Sequence, residues 1–258
     1  PPPPPPPPFF FLMIRRAPRS TLDRSAAASD VYKRQRFERL KSVLNHRMAD
    51  LTVLLEHVEK PHNLSAILRS CDAVGALEAH IVSLQGRPRT FNSTAQGSQK
   101  WVALRDHPDI TSAIEHLKGK GFRLYGTHLG VNARDYRECD FTKPTAFVLG
   151  AEKWGLTDRA RDLMDEALYI PMRGMVQSLN VSVASATLLF EALRQRQAHG
   201  TAPSAGEGLE PDHYKRLLFE WSYPQVAAWC QKLGRPYPAL DDQGELLEDL
   251  PRNVKLRC

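Results

Sequence analysis

The stretch that most restricts what this chain can fold into is residues 170–191, IPMRGMVQSLNVSVASATLLFE. It leaves an apolar segment (ALYIPM) and passes through a glycine loop. It then enters a run in which Ser182, Ala184, Ser185, Ala186 and Thr187 are small and Leu179, Val181, Val183, Leu188 and Leu189 are apolar. A helix this poor in charge until Glu191 cannot be a solvated surface helix. Its small residues allow another backbone to approach closely. Ser178 is a suitable N-cap, which predicts a helix over residues 178–197, and Asn180 keeps its side chain toward the loop. A buried core helix is one reading. Two polar residues at a helix mouth behind a glycine loop are also a ligand-site pattern.

The periodicity upstream predicts strands over residues 51–58, 79–84, 122–127, 145–149 and 167–171. Helices are expected over residues 36–48, 63–74, 110–118 and 158–163. Strands alternating with helices give a parallel α/β sheet. Ligands of such sheets sit at the carboxyl ends of strands. Three loops, THLG, GAEKWG and PMRGMVQSLN, follow strands, so they can converge on one site. No GxGxxG follows the first strand, which disfavours a Rossmann-type cofactor site. The segment from Gly150 to Gly155 has phosphate-loop length but lacks the Lys-Ser/Thr ending.

Charge looks informative until it is located. The chain carries a net charge of +6. Residues 1–35 hold six basic side chains against Asp23 and Asp30, which leaves only +2 for the rest. That opening segment, a proline run followed by FFFLMIRRAPRSTLDRSAAASDVYKRQ, has no periodicity and resembles translated sequencing-adapter DNA. It is expected to be foreign and disordered. Residues 36–198 are then expected to form one α/β domain that opens with a basic helix. Residues 199–210 (HGTAPSAGEGLE in sequence) read as a linker to an aromatic, basic C-terminal extension that reaches residue 258. Cys71, Cys139, Cys230 and Cys258 show no CxxC spacing, so neither a zinc site nor a disulfide framework is indicated, and a reducing cytoplasm is expected.

Three stretches together carry a resemblance. HNLSAILRSCDAVG from His62, FVLGAEKWGL from Phe147 and GMVQSLNVSVA from Gly174 resemble, in order, the three motifs of the SpoU class of RNA ribose 2'-O-methyltransferases. The resemblance covers about residues 36–197 and implies a deep C-terminal trefoil knot, a homodimer and S-adenosyl-L-methionine as cofactor. The motifs look most like those of tRNA-modifying members, which implies methylation at guanosine 18 of the D-loop. A sibling acting on rRNA or on a tRNA anticodon position, or a non-catalytic RNA-binding protein, are the alternatives.

The resemblance also assigns residues. Catalytic roles fall on Asn63, Arg69, Glu152, Ser178 and Asn180. Cofactor contacts fall on Thr127, Gly150, Ile170, Met172, Ser178 and Leu179. Taken alone, Asn63 could be a helix N-cap, Arg69 a surface ion-pair partner of Asp72, Glu152 a solvated loop carboxylate, and Ile170, Met172 and Leu179 core residues. No metal is implied. For RNA, the candidate cations are Arg36, Arg39, Lys41 and Arg47; Arg87, Arg89 and Lys100; and Arg194, Arg196, Lys215 and Arg216. They neighbour Phe37, Phe91, Trp101, Tyr214 and Trp221, aromatics of the kind on which unstacked bases lie.

Overall fold

The computed structural model describes residues 26–83, 100–130, 132–151 and 154–248, with side chains from residue 31 onward. Glu152, Arg87, Arg89 and Phe91 lie outside the described residues. Among the described residues, seven strands form one parallel sheet: β1 (Leu51–Glu56), β2 (Glu78–Val82), β3 (Ala103–His107), β4 (Arg123–Thr127), β5 (Arg134–Asp135), β6 (Thr145–Leu149) and β7 (Glu166–Tyr169). Their order across the sheet is β3-β2-β1-β6-β4-β7-β5.

The central strands are buried on both faces and therefore read as continuous apolar runs. Alternation still decides which face each residue serves. Val53, Leu55, Phe147 and Leu149 join a core beneath α2 (Pro61–Val74) and α5 (Val181–Ala198). Leu54, Ala146 and Val148 join a second core beneath α3 (Ile110–Gly119) and α4 (Asp158–Leu163).

Two strands escaped the sequence reading. β3 reads ALRDH and its residues are largely exposed, so an edge position leaves no apolar signal. β5 is two residues long. A further helix, α7 (Pro224–Leu233), follows directly on α6 (Pro211–Ser222) and was read only as an aromatic, basic tail.

α5 starts three residues later than expected. Its N-cap is Asn180, whose side chain accepts from the Ser182 backbone N–H, and Ser178 lies exposed in the loop before it. A carboxamide one residue before the apolar run caps better than a hydroxyl three residues before it. The helix buries Val181, Ser185, Leu188, Leu189 and Ala192 on one face, as a helical period requires, and exposes Val183 and Phe190 on the other.

α1 runs Ala26–Leu44, so the last ten residues of the segment read as foreign are helical, and Arg34 donates to Gln243. The C-terminal extension is not a free appendage. Leu40 and Leu44 of α1 pack with Leu77, Leu209 and Trp221 into one apolar cluster. The segment leading to it is seated on the loop before β1, where Gly208 lies so close that a Cβ would stand 2.1 Å from the Arg47 carbonyl.

Arg47 and Arg196 are corrections to the expected RNA surface. Arg47 is fully buried; it donates to the Ala76 carbonyl, pairs with Asp72 and lies under the Trp221 ring. Arg196 is also buried and is shared among Asp50 and the carbonyls of Phe141 and Lys143. Phe37 and Trp221 are buried, and Trp101 and Tyr214 are packed against the same cluster as Trp221, so these four aromatics serve the core instead of bases.

On the α3 face, His80, His107 and His116 gather with ring centroids 5.1 to 5.7 Å apart. His80 Nδ1 and His107 Nε2 are 2.9 Å apart, so one donates and the other accepts. Glu78 binds Arg105 and Lys120 beside them; burial works against its charge, but hydrogen bonds from His80, Arg105 and Lys120 hold it well below the usual carboxylate range. Among the described residues no helix is long and apolar enough to cross a membrane, and no group of His, Cys, Asp and Glu is arranged to hold a metal ion.

Two measurements check this account. Burial, then the neighbouring histidines, hold His107 below the ordinary imidazole value; burial, then Lys120, do the same for His116. The unfolded chain therefore takes up protons that the folded chain resists. That contribution to stability is intact above the unfolded value and is lost as pH falls below it. Thermal melts should fall between roughly pH 7.5 and 5.5, and less steeply in His107→Gln; equal slopes would contradict the cluster. Trp221→Ala should cost about 3–5 kcal/mol in urea unfolding, because it opens a cavity over buried Arg47. A cost below about 1 kcal/mol would mean that the extension is not part of the core.

Candidate active site

The loops that follow β1, β4, β6 and β7 all leave the carboxyl edge of the sheet, and these four strands include the three neighbours β6-β4-β7. The convergence expected from the sequence is thereby met in topology. Two contacts then define the site.

The first joins the opening and closing motifs. Asn63 is the third residue of α2, after Pro61, and is 1 % exposed. The N-cap of α2 is Lys60, so Asn63 is not capping its helix. Asn180 Nδ2 donates to Asn63 Oδ1 at 3.2 Å across 117 residues of sequence. The amide orientation is fixed by chemistry: the Ser182 N–H, at 2.8 Å, can only donate, so the atom it meets is the Asn180 oxygen. The Ser182 hydroxyl donates to that oxygen as well, at 2.5 Å. The amide nitrogen is then left to face Asn63.

The second contact closes the loop after β6. The Gly155 N–H donates to the Ala151 carbonyl at 2.8 Å, and a Cβ on Gly150 would fall 2.1 Å from the Gly155 carbonyl carbon. No side chain fits at Gly150, so only glycine allows this closed loop. Trp154 projects from it, 78 % exposed.

The remaining expected residues lie around these contacts. Thr127, at the end of β4, donates to the Val148 carbonyl at 3.4 Å. Ile170 packs on the main core, and Met172 and Leu179 are half-buried. Ser178 is exposed and, among the described residues, makes no hydrogen bond. Arg69 is exposed on α2, about 9 Å along the axis from Asn63 and about 120° round it. It has no ion-pair partner among the described residues, and Asp72 pairs with Arg47 instead. The structure thus brings Asn63 and Asn180 together and leaves Arg69 and Ser178 free at the surface.

The site suits a ligand of adenosine type held by main-chain groups. Beyond the sheet ladder, no backbone–backbone hydrogen bond among the described residues involves residues 171–179. Those donors and acceptors are left to solvent or ligand.

Sequence reasoning missed Ser182, which directs Asn180, and Glu56, which accepts from Thr157 N–H and hydroxyl at 2.9 and 2.7 Å. Glu56 ends the run LTVLLE, and a lone acidic residue closing an apolar strand was the available signal.

Known proteins fit this geometry. A model described as the SpoU rRNA Methylase family matches residues 50–190, and one for the SpoU rRNA methylase C-terminal region matches residues 194–249. The chain belongs to the SpoU methylase family. It is 56 % identical over 186 residues to the tRNA (guanosine(18)-2'-O)-methyltransferase of Thermus thermophilus, a match covering 72 % of this chain and 95 % of that one. The crystal structure of the Aquifex aeolicus TrmH/SpoU tRNA modifying enzyme superposes with a TM-score of 0.69 at 36 % identity, over 76 % of this chain and 98 % of the other. The SpoU methyltransferase AviRb of Streptomyces viridochromogenes, in complex with the cofactor AdoMet, gives 0.54 at 29 % identity, over 59 % and 62 %.

Asn180→Asp separates the cap from the link. A carboxylate still accepts from Ser182 but cannot donate to Asn63. Stability should stay within about 1 kcal/mol of the parent, whereas Asn180→Ala should lose about 0.5–2 kcal/mol with the cap. Both should depress methylation. Full activity in Asn180→Asp would show that the link to Asn63 has no role in the site.

Proposed function

We propose that this chain transfers a methyl group from S-adenosyl-L-methionine to the ribose 2'-hydroxyl of guanosine 18 in the D-loop of tRNA. The observation that carries the reading is the hydrogen bond between Asn180 and Asn63, which ties the first and third motifs into one site. The close likeness to a named tRNA (guanosine(18)-2'-O)-methyltransferase supplies the substrate.

Thr127, Gly150, Ile170, Met172, Ser178 and Leu179 would hold the cofactor, through main-chain groups and apolar contacts. Bound there, it supplies an electrophilic methyl group whose sulfur is its own leaving group. What the chain must add is orientation of the ribose and removal of a proton from a weakly acidic hydroxyl. Asn63 and Asn180 orient at the mouths of α2 and α5. Arg69, free at the surface, activates the hydroxyl. A guanidinium stays protonated in proteins, so charge stabilisation of the forming alkoxide or a proton relay through a substrate phosphate suits it better than direct proton acceptance. Glu152, which follows Ala151 in the chain, is given a role in the site by the resemblance alone.

Four further features belong to this reading. Residues 36–198 are the methyltransferase domain and residues 199–258 a tRNA-binding extension fused to it through the α1 cluster. Residues 1–35 are foreign to the natural protein. The return of the chain through β7 into α5 makes the deep trefoil knot. Val183 and Phe190, seven residues apart on the outer face of α5, are the apolar contacts of a homodimer acting in the cytoplasm.

Arg69→Ala tests the chemistry. Calorimetry should give cofactor affinity within a few-fold of the parent, because Arg69 is not among the residues assigned to hold the cofactor. Single-turnover methylation at saturating tRNA should fall by about 10²–10⁴-fold. A near-normal rate at saturation would reduce Arg69 to a binding residue.

A further inference from the structure

We propose that Glu56 is a positioning residue that holds the Gly150 loop against the Asn63 end of the site. The inference rests on the reading of that loop as the cofactor cradle.

Glu56 is the last residue of β1 and is 1 % exposed. A buried carboxylate is costly unless its oxygens are satisfied. Both are satisfied by one residue: Oε2 accepts the Thr157 backbone N–H at 2.9 Å, and Oε1 accepts the Thr157 hydroxyl at 2.7 Å. No cation pairs with Glu56 among the described residues. An apolar residue would serve the core at that place with no such cost. The carboxylate therefore has a job in fixing Thr157.

Thr157 is where the closed loop ends. Gly150 and Ala151 lie against Gly155 through the Gly155-to-Ala151 bond and the Gly150 contact, and this pair of chain ends is attached to the sheet by β6 on one side and leads to Thr157 on the other. The Thr157 oxygen also accepts the Ala160 N–H at 3.2 Å and so caps α4. On the other side of Glu56 the chain turns at once. His57 takes φ +56°, the one positive value among non-glycine residues described, and its N–H reaches the Val82 carbonyl. Four residues further on, α2 begins and brings in Asn63. One carboxylate thus joins the strand end that delivers Asn63 to the loop that delivers Gly150. Small displacements of such a cradle cost binding and rate steeply.

The test uses the full chain, with tRNA and S-adenosylmethionine as ligands. Glu56→Ala and Thr157→Val should each raise the calorimetric Kd and the KM for S-adenosylmethionine by ~10-fold or more, with kcat at saturating cofactor moving less. Glu56→Gln keeps an acceptor for the N–H and a polar partner for the hydroxyl, and Thr157→Ser keeps the hydroxyl. Both should stay within roughly threefold of the parent. The double variant Glu56→Ala/Thr157→Val should bind cofactor no worse than Glu56→Ala, because the hydroxyl bond lost in Thr157→Val is one of the two that Glu56→Ala already removes. A Glu56 that merely supports the core would lower the melting temperature without moving cofactor affinity in the folded protein, and that result overturns the proposal. If Glu56→Ala does not fold, normal cofactor affinity in Thr157→Val overturns it equally. A parent protein that fails to bind S-adenosylmethionine would instead refute the proposed function.

Discussion

The site depends on where α5 begins. Asn180 ends the loop after β7 by capping the helix, and that cap leaves its amide nitrogen aimed at Asn63. A cap alone is worth about 1 kcal/mol, which is little for a structural decision of this weight. The far end of the helix supplies the rest. Arg196 lies buried in the last turn of α5 and is held by Asp50 and by the carbonyls of Phe141 and Lys143. Removing one partner of such a buried cation costs several kcal/mol, so the register of α5 against the sheet is fixed at that end. Between the two ends, Val181, Leu188, Leu189 and Ala192 pack into the core shared with α2. The polar mouth of the helix is precise because the rest of the helix cannot slide.

The same logic explains what could be read from the chain and what could not. β6 and α4 were legible to the residue: one is a short apolar run against a glycine loop, and the other starts behind a threonine cap. β3 was illegible because a polar edge strand carries no periodic signal. The start of α5 was misplaced because Ser178 and Asn180 are both acceptable caps, and only the distance to Ser182 distinguishes them. Glycine loops and the small-residue helix gave the site's outline. The link between Asn63 and Asn180, and that between Glu56 and Thr157, span more than a hundred residues each. Long-range polar pairs of this kind leave no local pattern.

The extension shows a different limit of sequence reading. A segment rich in Gly, Ala, Ser and Pro looks like a tether, yet Gly206 donates to Asn45 and Gly208 sits against the Arg47 backbone. Gly208 is there for close approach, whereas Gly200 and Gly206 supply positive φ. Trp221 then covers the Arg47 guanidinium, and Trp101 meets Trp221 edge-on with centroids 5.0 Å apart. The composition that suggested stacking on bases is used to build an internal cluster. Aromatic and basic residues together are equally the signature of a cation buried under a ring, and only burial separates the two uses.

Sorting the cations by what already holds them leaves a narrower surface for RNA. Arg47 and Arg196 are committed to the interior. Arg194 is gripped by both oxygens of Glu191, and Lys41 pairs with Glu38. Exposed pairs of this kind are worth about 1 kcal/mol or less, so a phosphate could displace them at small cost. Arg36 donates to the carbonyls of Trp221 and Ser222 and so ties α1 to the end of α6, which spends its geometry but not its charge. Arg39, Arg69, Lys100 and Arg173 are exposed and, among the described residues, unpaired. Of these, Arg69 lies on α2 and Arg173 on the loop that leads to Asn180. A free guanidinium can meet a phosphate with two parallel N–H donors without first losing a partner. Arg69 and Arg173 are therefore cations that could take a phosphate without first giving up a partner among the described residues.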